Sequence, residues 1–138
     1  NKAMVKTKTT YEGGLHCSMV HEPSGATLST DAPVDNNGKG ESFSPTDLVG
    51  AALAGCMSTI MGIVAERKGI NLEGMTVEVA KHMNAVPRRI GKLEVVITVP
   101  LPSDYPDRKL LEQAALSCPV KHSLHPDIEI PITWKWVG

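Results

Sequence analysis

From Leu48 to Ala65 the chain carries no charged residue. A run of that length approaches the lower limit for a membrane span, about 18 residues. Asp47 and Glu66 close it tightly, however, and Gly, Ala, Ser and Thr are frequent within it. Nothing else in the sequence looks membranous. The run therefore reads as a helix buried on nearly all sides in a soluble protein. A helix that is apolar all round needs cover on every face. One small domain has trouble supplying that cover, so the segment itself argues for a homodimer.

The 138 residues fit a single domain, 1–138, with a real hydrophobic core. Fourteen basic and fifteen acidic residues nearly cancel. No single-sign field is available to attract nucleic acid or an anionic membrane, so neither is expected as a partner. Aromatic residues are few (two Trp, two Tyr, one Phe), which leaves few platforms for base stacking. Three cysteines do not suggest a secreted disulfide framework. No apolar leader precedes the first strand-like residues, and a reduced cytoplasmic compartment is the expectation.

Local patterns order the elements. Residues 3–11 and 14–20 read as strands around the turn signal Glu12-Gly13-Gly14, and Ala26–Thr30 as a third. Asp31 to Ser42 is rich in Asp, Asn, Gly and Pro and long enough for a mobile flap. Ser44 at the N-cap, Pro45 at the first helical position and Asp47 three residues on form a capping-box-like start. Val49, Ala52, Leu53, Cys56, Ile60, Ile63 and Val64 then form an apolar stripe. Gly50, Ala51, Ala54 and Gly55 are small enough to let another element approach closely. Gly69 ends the helix behind Arg67 and Lys68. Met75 to Ala80 and Leu93 to Val99 alternate as two antiparallel strands with a polar connection between them. Asp107 to Ser117 reads as a second helix with Leu110, Leu111, Ala114 and Ala115 facing inward. Ile128 to Trp136 is a closing strand. The order gives an α+β domain.

Chemistry in this chain centres on Cys56 and Cys118. Their wide separation excludes a CxxC redox motif or a zinc ribbon. The thiolate is the reactive form, so the question is what lowers each pKa. Cys118 precedes Pro119 and would cap a short helix, where free N–H groups favour an anion, with Lys121 and His122 close behind. Cys56 is mid-helix and needs an outside cation or hydrogen-bond donor. Against both stands the plain alternative that free cysteine packs as a small hydrophobe. Cys17, beside His16, reads as incidental. His16, Cys17 and His21 match no zinc spacing, so no metal is expected. His122 and His125 read as a solvated turn.

The stretch Ser44-Pro45-Thr46-Asp47-Leu48-Val49-Gly50-Ala51-Ala52-Leu53-Ala54-Gly55-Cys56, with Cys118-Pro119-Val120-Lys121-His122-Ser123-Leu124, resembles the OsmC/Ohr family of osmotically inducible and organic hydroperoxide resistance proteins. The resemblance covers nearly the whole chain. It implies an OsmC-like fold, with antiparallel sheets wrapped around central helices in an intertwined homodimer. It also implies a peroxidase without a cofactor. Cys56 attacks a hydroperoxide, Cys118 resolves the sulfenic acid as a disulfide, and a dithiol reductant restores both. Family members place an activating Arg in the N-terminal sheet and a Glu at the helix start. This chain has no Arg before Arg67 and carries Thr46 at the Glu position, with Asp47 beside it. Asp47, His16, Lys6, Lys8, Lys39, Arg88 and Arg89 are the residues that could take over.

Three functions follow from this reading. The first is a cysteine-dependent organic hydroperoxide reductase in oxidative stress defence. The second is a non-catalytic binder of a hydrophobic ligand, favoured by the unmatched Arg and Glu. The third is a redox sensor that forms the disulfide with negligible turnover.

Overall fold

A single glycine sets how closely the longest helix lies on its sheet. In the computed structural model, which describes residues 4–138, helix α1 (Pro45–Arg67) lies against strands β4 (Thr76–Ala85) and β5 (Arg88–Val99). A Cβ placed on Gly50 would stand 3.3 Å from Val79 Cγ1 and 3.7 Å from Leu93 Cδ2, so only a hydrogen fits there without adjustment. Below Gly50 the same face buries Leu53, Met57, Met61 and Ala65, each at most 2% exposed. The spacing of three or four residues keeps these side chains in one line along the helix. Burying one such Leu or Met contributes about 1.5–3 kcal/mol.

The described residues fall into two compact units, one reaching to Leu48 and one running from Val49 to Gly138. In the first, strands β1 (Thr7–Tyr11), β2 (His16–His21) and β3 (Thr27–Asp31) form an antiparallel sheet in the order β1-β2-β3. Thr30 and Ser44 are its only buried residues among those described. The expected strand 3–11 begins at Thr7, and Ala3 lies outside the described residues. The second strand starts two residues later than expected, because Gly14 and Leu15 adopt positive φ in the turn. His16 and Asp31 face each other across β2 and β3, and His16 Nδ1 donates to Asp31 Oδ1 at 2.7 Å. That hydrogen bond raises the His16 pKa above 6.5 against a smaller loss from burial, and the charges of Asp31, Glu12 and Glu41 add to it. The loop after β3 carries a short 3-10 turn at Val34–Asn36 and folds back on itself. Asp31 N–H bonds Phe43 O at 3.0 Å and Gly40 N–H bonds Ala32 O at 3.3 Å.

In the second unit the sheet order is β4-β5-β6, with β6 at Ile132–Trp136. Strands β4 and β5 pair antiparallel as expected, but β6 runs parallel to β5 and so departs from the expected antiparallel pairing. The cause is the connection. Helices α2 (Arg108–Leu116) and α3 (Pro119–Ser123) carry the chain back to the end where β5 began, as a parallel crossover requires. The β4–β5 hairpin is also longer than its alternation suggests. Ala85 pairs with Arg88, leaving Val86-Pro87 as the whole turn. Pairing shifts by one residue where His82 faces Lys92 and Met83 faces Ile90, so Gly91 is the extra residue of a bulge. A side chain on Gly91 would collide with the Asn84 amide. The shift brings Ile90 to the same buried face as Leu93, Val95, Ile97 and Val99, and it breaks the strict period of two.

Helix α1 starts as expected. Ser44 N–H donates to Asp47 Oδ2 at 2.9 Å, and Asp47 N–H donates to Ser44 Oγ at 3.1 Å. It ends in a Schellman turn, with Gly69 at φ 67° and Ile70 N–H bonding Ala65 O at 2.8 Å. The helix is long and apolar enough to cross a membrane, with a mean hydropathy of 2.0 over its best window. Its burial differs from the expected cover on nearly all sides. Val49, Cys56, Ile60 and Val64 are partly buried against the core, but Ala52 and Ile63 are exposed together with Ala51, Gly55 and Thr59. A Cβ placed on Gly55 would meet nothing within 4 Å, so its small size serves no contact among the described residues. On α2, Leu111, Ala114 and Ala115 are buried as expected, while Leu110 is 43% exposed. Trp136 ties α2 to β6. Its Nε1–H donates to Glu112 Oε2 at 3.0 Å, and Arg108, bonded to the same oxygen at 2.8 Å, lies over the Trp136 ring.

Two predictions follow from the first unit. Ser44→Ala removes the buried cap and should lower unfolding stability by about 1 kcal/mol. In urea titrations the Ser44→Ala and Asp47→Ala losses should sum to more than the loss of the double variant, because each removes half of one reciprocal pair. A proton NMR titration should place the His16 pKa above 6.5, and Asp31→Asn should bring it back down. The pair stabilises the fold fully below the unfolded pKa, about 6.5, and its contribution fades as pH rises through the raised value. A His16 pKa indifferent to Asp31→Asn would contradict this.

Candidate active site

Helix α2 and the turn after it carry Cys118 into the core. Leu111, Ala114, Ala115 and Cys118 recur at steps of three, one and three residues, and all four are buried. Ser117 closes α2, donating from its hydroxyl to Ala114 O at 2.7 Å. Cys118 N–H continues the turn by bonding Ala115 O at 3.3 Å. Pro119 then opens α3 with its φ already suited to a helix, and Cys118 becomes the N-cap. The Cys118 Sγ accepts from the Lys121 N–H at 3.5 Å. The thiol itself is 0% exposed.

Cys56 meets it from α1. The side chain sits beside the buried Leu53–Met57–Met61 line, partly exposed, and belongs to the same core cluster as Cys118. Both thiols are free, and Cys56 is near enough to act on the Cys118 proton. Of the residues singled out in the sequence, these two are brought together.

The electrostatics of Cys118 run opposite to the sequence expectation. Its pKa is raised, first by burial and then by the hydrogen bond to Cys56. The Lys121 and Val120 N–H groups pull the other way and are outweighed. The cap exists, but α3 is only five residues long and its dipole is correspondingly small. Cys118 is therefore a thiol that keeps its proton.

The remaining candidates have local partners in the first unit. His16 is engaged by Asp31, with Glu12 Oε1 3.4 Å from its Nε2. Asp47 is committed to the helix cap, and the Thr46 hydroxyl lies 3.3 Å from Ser44 Oγ. Lys39 is exposed in the folded-back loop, and Lys6 and Lys8 are exposed. Cys17 pairs with Tyr11 and Thr30 across its sheet, and His21 Nδ1 bonds Ser24 Oγ at 2.6 Å. In the second unit Arg89 reaches Asp127 at 3.5 Å. A cavity of about 390 Å³ opens further along α1, between Ser58, Gly62 and Glu66 and the 70–75 segment, and neither cysteine lines it.

Sequence reasoning missed Met57 and Met61, which form the line that positions Cys56. The signal was present, since Leu53, Met57, Met61 and Ala65 are spaced by four. It also missed the backbone donors to Cys118, which the Cys-Pro dipeptide could have suggested.

Comparison with known proteins places these features in context. The family model described as OsmC-like protein matches residues 38–133, which include both cysteines. No curated protein matches the chain. A solved structure from Psychrobacter arcticus, described as a proposed osmotic stress induced and detoxification response protein, is 45% identical. It has a TM-score of 0.90, with 96% of each chain covered. An OsmC-like protein from Mycoplasma pneumoniae shares the fold at 12% identity, with a TM-score of 0.82 and 100% of each chain covered. An organic hydroperoxide resistance protein from Elizabethkingia anophelis shares it at 18% identity and a TM-score of 0.73, over 96% of this chain and 95% of that one. By a family match over most of its length and a 45% identical relative of nearly equal extent, this chain belongs to the OsmC-like protein family.

Proposed function

We propose that the chain is a cysteine-dependent reductase of organic hydroperoxides acting in oxidative stress defence, with Cys56 peroxidatic and Cys118 resolving. The observation that carries this reading is that two free thiols from distant stretches of the chain, Cys56 on α1 and Cys118 after α2, belong to one core cluster. The Cys56 thiolate attacks the terminal oxygen of the hydroperoxide. The O–O bond breaks, the alkoxide takes a proton and leaves as an alcohol, and Cys56 becomes a sulfenic acid. The Cys118 sulfur then attacks the Cys56 sulfur, hydroxide leaves and becomes water with the thiol proton, and a disulfide forms. A dithiol reductant returns both thiols by exchange. The apolar surroundings of the pair, Leu53, Met57 and Ile60, suit an organic rather than a strongly hydrated oxidant. The name of the Elizabethkingia relative supports the substrate class.

The working form is a cytoplasmic homodimer. The exposed face of α1, Ala51, Ala52, Gly55, Thr59 and Ile63, and the scarcity of buried residues in the first unit, support a second copy as the missing cover.

Intact-mass analysis tests the chemistry. One equivalent of cumene hydroperoxide should convert the reduced protein rapidly to a Cys56–Cys118 disulfide, two hydrogens lighter. Cys56→Ser should abolish the product, and Cys118→Ser should trap the sulfenic acid. Thiols that stay unmodified under excess peroxide would defeat the reading and favour a ligand-binding role. Sedimentation should give twice the 14.8 kDa chain mass, and Gly55→Glu should give a monomer. A monomeric parent protein would remove the dimer.

A further inference from the structure

We propose that protonated His16 is a pH-sensitive staple: it ties the β1–β2 turn, through Glu12, to the end of β3, through Asp31, and so pins the loop that runs from β3 towards α1. The inference lies wholly within the first unit and is independent of the thiol chemistry.

The turn is the part that needs holding. Leu15 has a φ of 61°, a left-handed conformation in which its Cβ is crowded, and such a residue persists only where its surroundings fix it. Packing does little of that work, since Leu15 is 47% exposed. The ties are polar. Glu12 N–H donates to His16 O at 2.9 Å, and His16 N–H donates to Gly13 O at 3.1 Å. Leu15 N–H donates to the Tyr11 hydroxyl at 3.4 Å, and Glu12 Oε1 lies 3.4 Å from His16 Nε2.

The same turn anchors the loop. Ala32 N–H donates to Leu15 O at 3.1 Å, and Gly40 N–H donates to Ala32 O at 3.3 Å. One hydrogen bond thus hangs the near end of the loop on Leu15, and the next hangs its far end on Ala32. Asp31 N–H donates to Phe43 O at 3.0 Å, and the Ser42 hydroxyl donates to Ser29 O at 3.2 Å. Both ends of the loop therefore close beside Asp31, directly across from His16 in the sheet.

Charge decides whether the staple holds. The groups whose charges act on His16 are Asp31 on β3, Glu12 at the turn and Glu41 in the loop, and all three are acidic. A protonated ring donates from Nδ1 to Asp31 at 2.7 Å and presents its Nε2–H to Glu12. A neutral ring keeps its proton at Nδ1, where the partner is closer, and turns a bare Nε2 lone pair toward the Glu12 carboxylate. Two acceptors then face each other, and His16 no longer offsets the three carboxylates. The Glu12 arm lets go, and the hold on Leu15 weakens with it. The side chains of His16 and Glu12 are 38% and 48% exposed, so solvent keeps the effect modest. Its sign follows from the raised His16 pKa. The staple is closed while His16 is protonated and opens as pH rises through that value.

Amide hydrogen exchange of the whole chain tests this, read as protection relative to the intrinsic rate at each pH, from about pH 5 to about pH 8.5. Protection of the Ala32 and Gly40 amides should fall about two- to fivefold as pH rises. The midpoint should coincide with the His16 ring titration followed by proton NMR in the same samples. Met19, in the middle of β2, should keep its protection throughout. Glu12→Gln puts an amide donor opposite the neutral Nε2, so in that variant the Ala32 step should disappear. In the parent protein, about 1 M salt should shrink the step. Ala32 protection that stays flat through the His16 titration would overturn the proposal. A step with a different midpoint, or one of equal size in Glu12→Gln, would do the same.

Discussion

The contact of α1 with its sheet through Gly50 is the constraint on which the rest of the second unit depends. Were a side chain present at position 50, its Cβ would press on the Val79 methyl at 3.3 Å while meeting Leu93 at ordinary contact distance, so Val79 would have to yield by a few tenths of an ångström. Cores pack at nearly crystalline density, so such a displacement is felt along the whole line. Cys56 stands one residue before Met57 and three after Leu53. Its position relative to Cys118 is thus an outcome of how deeply α1 seats, fixed by side chains that take no part in any chemistry.

From the other side, Cys118 is delivered by a helix whose inner face simply continues into it. The same α2 presents Glu112 and Arg108 outward to Trp136, so one short helix carries both the anchor to β6 and the approach to the thiol. The two cysteines share a core poor in charge, and there burial outweighs the backbone N–H groups at Cys118 and keeps its proton on.

Much of this was legible in the residues. The Ser44–Asp47 cap, the Gly69 stop, the alternation in β5 and the pairing of two distant cysteine motifs all stand where their chemistry puts them. The failures share a physical form, in which long-range packing overrides a local pattern. The hairpin is longer than its alternation predicts because the bulge at Gly91 inverts the period-two signal, placing Ile90 and Leu93 on one face. The buried line on α1 lies about one residue from the stripe of Ile and Val, because the flexible Met57 and Met61 fill the core there. Leu110 stays outside and Leu111 inside because a helix with Leu at two successive positions does not itself say which one its neighbours will cover. The parallel pairing of β6 could not be read from its own alternation, which is the same in either direction. The depressed pKa expected at Cys118 failed because a cap is visible in sequence and burial is not.

The crossover between β5 and β6 has a kinetic meaning. Strand β6 completes the sheet only after more than thirty residues have been looped back on β5, and Cys118 lies within that loop. Pairing of this kind must meet the entropy of loop closure before any of its contacts form, which makes it a late event in folding. The β4–β5 hairpin, closed by a two-residue turn, is local by comparison. A chain still emerging from synthesis therefore presents Cys56 well before Cys118, whose segment is the one looped back between β5 and β6.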